Sequence, residues 1–146
     1  MNVFLLDGTY ELFRHFYAVP SMKDADGREV GAVRGVVGSV IGMLEDDVTH
    51  IGVATDHVVE SFRNDLWSGH KSGEGIDPTL LEQFHLLEDD LEALGVVVWP
   101  MTTFEADDGL AAAARRAAED ERVEQVFVCT PDKDLAQSVR DRRVVQ

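Results

Sequence analysis

The chain has 146 residues, 45% of them hydrophobic, and sets 13 Lys and Arg against 28 Asp and Glu for a net charge of −15. That length supports one domain with a real core; no apolar run reaches membrane length, and Met1-Asn2-Val3-Phe4-Leu5-Leu6-Asp7 lacks the flank and cleavage site of a signal peptide. The charge counts against a broad basic footprint for nucleic acid, and the single Cys129 excludes an internal disulfide and fits a reducing cytoplasm.

Val3–Asp7 reads as a short buried strand ending on an acid. Tyr10, Leu12, Phe13, Phe16 and Tyr17 give Thr9–Ala18 a helical spacing. After a polar loop over Pro20–Glu29, the stripe Val30, Val33, Val36, Val37, Val40, Ile41 and Leu44 predicts a second helix. Its glycines, Gly31, Gly35, Gly38 and Gly42, weaken it intrinsically and are expected to permit close packing on a sheet. His50–Thr55 is a second strand, again followed by an acid, Asp56.

Ser61–Asp77 is polar and carries glycines. Asp77-Pro78 is a helix start, with an N-capping acid and proline in the first turn, and the helix runs to about Leu94 before Gly95. Val96–Trp99 is a third strand, and Phe104-Glu105-Ala106-Asp107-Asp108 opens an alanine-rich helix to about Ala118. Gln125–Thr130 is a fourth strand, Asp132–Val139 a short helix, and Arg143–Val145 the start of a fifth strand. Strands alternating with helices imply an α/β fold, a mainly parallel wound sheet between two helical layers. Ending on Val144-Val145-Gln146, in or just after a strand, the chain reads as a piece of a longer protein.

Seven acids fall at strand ends or in the first turn of the next helix: Asp7, Asp56, Glu105, Asp107, Asp108, Asp132 and Asp134. Open α/β sheets bind ligands at the carboxyl ends of their strands, so acids from four segments can meet on one rim. Hard oxygen donors of this kind suit Mg²⁺ or Mn²⁺. Each piece has a plainer explanation. Acids in a first turn answer the helix dipole, Asp132 can serve as an N-cap, and Asp7 before Gly8 can form a turn. Asp56 taken alone is as well explained by a loop as by ligation. Arg63 and Lys71, with Trp67 and His70 between them, could meet a nucleic-acid strand or form a solvated loop. None of the five histidines has zinc-like spacing to another His or Cys.

In their order along the chain, Leu6-Asp7-Gly8 with Arg14, Asp56 with Ser61-Phe62-Arg63, Trp67 to Gly73, the Glu105 cluster and Thr130-Pro131-Asp132-Lys133-Asp134-Leu135 resemble the bacterial 5′-3′ exonuclease and flap endonuclease family. The resemblance spans essentially all of residues 1–146, as that family's N-terminal catalytic domain, and implies a PIN-like fold. It implies two divalent ions, Mg²⁺ or Mn²⁺, one held by Asp7, Asp56, Glu105, Asp107 and Asp108 and the other involving Asp132 and Asp134. It implies cleavage of DNA with a 5′ flap or 5′ end, in replication or repair, by a monomer.

Arg63 and Lys71 would neutralise the scissile phosphate at the foot of a helical arch spanning about Trp67 to Leu94. Arg14 and His70 would join the nucleic-acid contact. His70 stands at a usual tyrosine position and Glu74 where a basic residue is common. The family's next acidic motif and its helix-hairpin-helix clamp would lie beyond Gln146. Rival readings are an idle fragment that binds metal or nucleic acid without cleaving, a PIN-type ribonuclease, and a haloacid-dehalogenase-type phosphatase. The last needs a nucleophilic Asp where this chain has Leu5.

Overall fold

The computed structural model describes residues 1–58 and 76–146. Five strands, β1 (Asn2–Asp7), β2 (Ile51–Thr55), β3 (Val97–Pro100), β4 (Gln125–Cys129) and β5 (Val144–Val145), form one sheet in the order β3-β2-β1-β4-β5. All four pairings are parallel, with Asp7 in register with Ala54, and Leu6 with Cys129. The chain winds outward from β1 to β2 and β3, then returns to lay β4 on the other side of β1. The reversal creates a topological switch point beside β1, where sheets of this kind leave a crevice at the strands' carboxyl ends.

Among the described residues, four helices cover the sheet: α1 (Gly8–Ala18), α2 (Gly31–Glu45), α3 (Pro78–Ala93) and α4 (Ala106–Ala118). Alternation along β1 separates the layers, because successive side chains point to opposite faces. Leu6 joins Leu12, Val33, Val36, Val40, Leu80, Phe84, Leu87 and Leu91 of α1, α2 and α3 in one core. Leu5 joins Leu110 and Ala114 of α4, with Val126, Val128 and Leu135, in the other. Leu5 is fully buried there. The position where a phosphatase nucleophile would stand is thus an apolar core site.

The caps follow sequence chemistry. Asp7 accepts the Tyr10 N–H at 2.8 Å to start α1, and Asp77 accepts the Thr79 N–H at 2.8 Å to start α3 with Pro78 behind it. Gly95, at φ +80°, ends α3 in the left-handed region that favours glycine.

Three expectations change. The α2 glycines do not seat that helix on the sheet: a Cβ at Gly35 would fall 2.2 Å from the His15 ring of α1, while Gly38 and Gly42 face open space. Helix α2 reaches the core through its valines instead. Lys133–Ser138 is a 3₁₀ turn, its Asp132 cap accepting the Asp134 N–H at 2.9 Å. The arch expected over Trp67 to Leu94 does not include Pro78–Ala93, which packs into the core through Leu80, Phe84, Leu87 and Leu91. Residues 67–75 of it lie outside the described residues. No described helix is long and apolar enough to cross a membrane.

Candidate metal centre

Strand ends and helix starts meet at the switch point because side chains fasten them together. Asp7, at the end of β1, is 5% exposed and accepts two hydrogen bonds, from the Tyr10 N–H and from the Thr130 hydroxyl at 3.0 Å. The second bond spans β1 and the segment after β4, across the switch point itself. Asp56 follows β2. Its N–H donates to Thr9 Oγ1 at 2.8 Å, and its Oδ1 accepts the Ala106 N–H at 2.7 Å, joining the β2 end to α1 and to the first residue of α4. Glu105 caps α4 and is buried, and Asp108 Oδ2 accepts the Glu105 N–H at 3.0 Å.

Asp7, Asp56, Glu105, Asp107 and Asp132 line one cavity of about 480 Å³, together with Thr9, Tyr10, Phe13, Ile76 and Phe84. Five of the seven predicted acids thus share a wall of oxygen donors backed by aromatic rings. Asp108 faces a neighbouring cavity with Arg115, Gln137, Ser138 and Arg140, reached through its place one residue further round α4. Asp134 is exposed and lines neither cavity. Arg14 pairs with Glu11 at 2.5 Å on α1 and does not line the acid cavity either. Arg63, His70 and Lys71 lie outside the described residues. A larger cavity, about 670 Å³, opens at the opposite, amino ends of the strands beside Met1, His50, Val96 and Val123, away from the converging acids.

Burial pushes the Asp7 carboxyl above its ordinary value, and the charges of Asp56 and Asp132 add to the rise against the two hydrogen bonds that oppose it. A buried carboxylate facing further acids is costly, and a divalent cation relieves that cost. The donor set, all carboxylate oxygen, suits a hard divalent cation. Cys129 stays a partly buried thiol whose pKa burial raises, as expected of a packing residue.

Residues 2–146 match the family model for the 5′-3′ exonuclease N-terminal resolvase-like domain. The chain belongs to that family. It is 34% identical over 142 residues to the thermostable DNA polymerase I of Thermus aquaticus, covering 97% of this chain and 17% of the polymerase. Among solved structures it resembles the T5 D15 protein co-crystallised with metal ions, with a TM-score of 0.68 and 18% identity over 99% of this chain and 54% of that one. It also resembles the bacteriophage T5 flap endonuclease in a pseudo-enzyme–product complex with DNA and metal ions, at a TM-score of 0.55 and 19% identity over 99% of this chain and 53% of that one. The chain therefore spans about a sixth of the polymerase and about half of the phage enzyme.

A second group of metal-type donors escaped the sequence reading. His57, in the turn after β2, and His85 and Glu88, on α3, bring one ligand atom each within 4.8 Å of one another. Only the His85/Glu88 spacing, three apart on one helix face, was visible beforehand. His57 joins them through the fold.

Proposed function

We propose that this domain is a divalent-metal-dependent 5′ nuclease that hydrolyses phosphodiester bonds of DNA at a 5′ end or flap, in replication or repair. The observation that carries the reading is the meeting of Asp7, Asp56, Glu105, Asp107 and Asp132 in one cavity at the switch point. Asp7, Asp56, Glu105 and Asp107 would hold a Mg²⁺ or Mn²⁺ ion, and Asp132 would reach it or a second ion. Bound divalent ions supply an activated water and charge stabilisation for the phosphate and its leaving oxygen.

The protein's own share is positional. Thr130 and the Tyr10 N–H aim the Asp7 carboxylate, and the Ala106 N–H aims Asp56. Asp108 fixes the Glu105 backbone and would act on the ion through that contact or through water. Asp134 would serve a second ion near the exposed rim. Arg63 and Lys71 would neutralise the scissile phosphate, with His70 and Arg14 completing the contact to the strand. A cytoplasmic monomer suits this work. The aromatic rings of Tyr10, Phe13 and Phe84 wall the acid cavity on its apolar side.

The test is cleavage of a 5′-labelled flap DNA, and of its RNA counterpart, in Mg²⁺, Mn²⁺ or EDTA, with Asp107→Asn as control. Metal-dependent cutting near the junction of DNA, lost in the variant, supports the reading, whereas cutting of RNA alone favours a PIN-type ribonuclease. A second reading, an incomplete site that binds metal without cleaving, draws on the exposure of Asp134 outside the cavity. Metal binding without cleavage by this chain, with cleavage by a longer version, would select it.

A further inference from the structure

Glu88 is a buried carboxylate, 5% exposed, on the helix that walls the acid cavity. Its Oε1 accepts the Thr55 hydroxyl at 2.5 Å, and its Oε2 lies 2.7 Å from His57 Nδ1 and 3.7 Å from His85 Nδ1. The two imidazoles meet edge to face, their centroids 4.4 Å apart. No Lys or Arg among the described residues pairs with this carboxylate. A buried carboxylate needs a partner of opposite charge or a cation, and two imidazoles converging on one oxygen supply the other donors.

We propose that His57, His85 and Glu88 bind a divalent ion of the zinc class at a site separate from the acid cavity. Two imidazole nitrogens and one carboxylate make a donor set that favours Zn²⁺, Co²⁺ or Ni²⁺ over Mg²⁺. Glu88 is already oriented by Thr55, the outer-shell support that ligating carboxylates commonly have. His85 is largely exposed, its side chain 62% accessible, so an ion has an entry path and room for water as a further ligand. All three donors already lie within 4.8 Å of one another, so small side-chain rotations bring them to the roughly 2.0–2.2 Å metal–ligand distances of such sites, the His57–Glu88 hydrogen bond opening as the ion enters.

The site's position gives it a consequence. Thr55, Asp56 and His57 are consecutive: the outer two bind Glu88, and the middle one lines the acid cavity. An ion here clamps the turn that carries Asp56 onto α3. It acts as a structural staple beside the catalytic rim and takes no part in the rim's own chemistry.

The test titrates Co²⁺ into the metal-free chain with Mg²⁺ in excess, follows the visible absorption of the bound ion, and then displaces it with Zn²⁺. One equivalent with an absorption band of nitrogen-ligated Co²⁺ is expected. His85→Ala, an exposed substitution, should melt like wild type in EDTA yet weaken Co²⁺ and Zn²⁺ binding by more than about 100-fold, beyond the loss typical of an outer-shell change. Asp107→Asn should leave both affinities unchanged. Undiminished binding in His85→Ala would overturn the proposal, as would loss of binding in Asp107→Asn with retention in His85→Ala, which would put the ion among the acids. Because the readout is spectroscopic, it stands whether or not the chain proves to be a nuclease.

Discussion

Replacing Asp7 by Asn separates what this residue does for the fold from what it does for the ion. The amide keeps a carbonyl oxygen for the Tyr10 N–H and is as good an N-cap as Asp. The Tyr10 bond becomes neutral and the Thr130 bond reverses, the amide N–H donating to the hydroxyl oxygen, a loss of about 1 kcal/mol. Against that stands the carboxyl's raised pKa, caused first by burial and then by Asp56 and Asp132. At a pH below its ordinary 3.8 the group is protonated in folded and unfolded chains alike. As pH climbs from 3.8 through the raised folded value, the folded state still holds a proton that the unfolded state has released, so stability falls across that window.

At neutral pH the ionised Asp7 therefore costs the metal-free fold stability, and Asn removes that cost. Without metal, Asp7→Asn should melt within about 1 kcal/mol of wild type, or above it. Asp7→Ala, which loses the cap, should fall by roughly 0.5–2 kcal/mol. With Mg²⁺ at a hundred times its Kd, wild type should gain about 2.7 kcal/mol, or ~8 °C at about 3 °C per kcal/mol for a domain this size. Asp7→Asn should gain little. Differential scanning calorimetry in EDTA and in Mg²⁺ reads both limbs. The reasoning fails if Asp7→Asn melts far below wild type in EDTA, or if its Mg²⁺ shift equals that of wild type.

Asp107→Asn should abolish metal-dependent cleavage, while Asp108→Asn, whose amide oxygen can still accept the Glu105 N–H, should fold normally and cleave slowly; equal rates in the two variants, read on a labelled flap, would refute the division of roles. Gly8→Ala would put a Cβ 2.8 Å from Thr55 Cγ2 and Val53 Cγ1 and 3.0 Å from the Ala54 carbonyl. Overpacking of about 1–3 kcal/mol should outweigh the roughly 1 kcal/mol of helix propensity gained, because backbone cannot yield. A lower melting temperature and weaker Mg²⁺ binding are expected, and an unchanged melt would contradict the contact. The Arg122 guanidinium and backbone N–H hold Asp120 well below the usual carboxylate range. That contribution is present above 3.8 and is lost as pH falls through the lower folded value. Asp120→Asn should therefore melt slightly below wild type at neutral pH, with the gap closing in strong acid; a gap that widens on acidification would reverse the assignment.

Elements whose boundaries are chemical were legible in the sequence. Asp7 ends β1 and caps α1, and Asp77-Pro78 opens α3, each because a short polar side chain satisfies free backbone N–H groups, while at the start of α4 Asp108 accepts the Glu105 N–H and Asp56 the Ala106 N–H. The meeting of Asp7, Asp56, Glu105, Asp107 and Asp132 was legible for another reason, since strand ends in a wound sheet share an edge. What depends on side-chain direction was not legible. Asp107 and Asp108 are adjacent in sequence yet face different cavities, and Asp134, on the 3₁₀ turn after Asp132, lies outside both. His57 and Glu88 are 31 residues apart and meet only once α3 lies against the end of β2.

The Thr130–Asp7 hydrogen bond joins residues 123 positions apart. During synthesis β1 emerges first and can pair with β2, but its other edge stays bare until Gln125–Cys129 leaves the ribosome. A bare central edge is the part of a nascent sheet most open to wrong pairing. The last partner to arrive also brings Thr130 and Asp132 to the rim. Assembly of the acid cavity is thereby tied to near-complete translation of these 146 residues, so a truncated product ending before β4 would lack both the sheet's closure and the Thr130 and Asp132 contributions to the site.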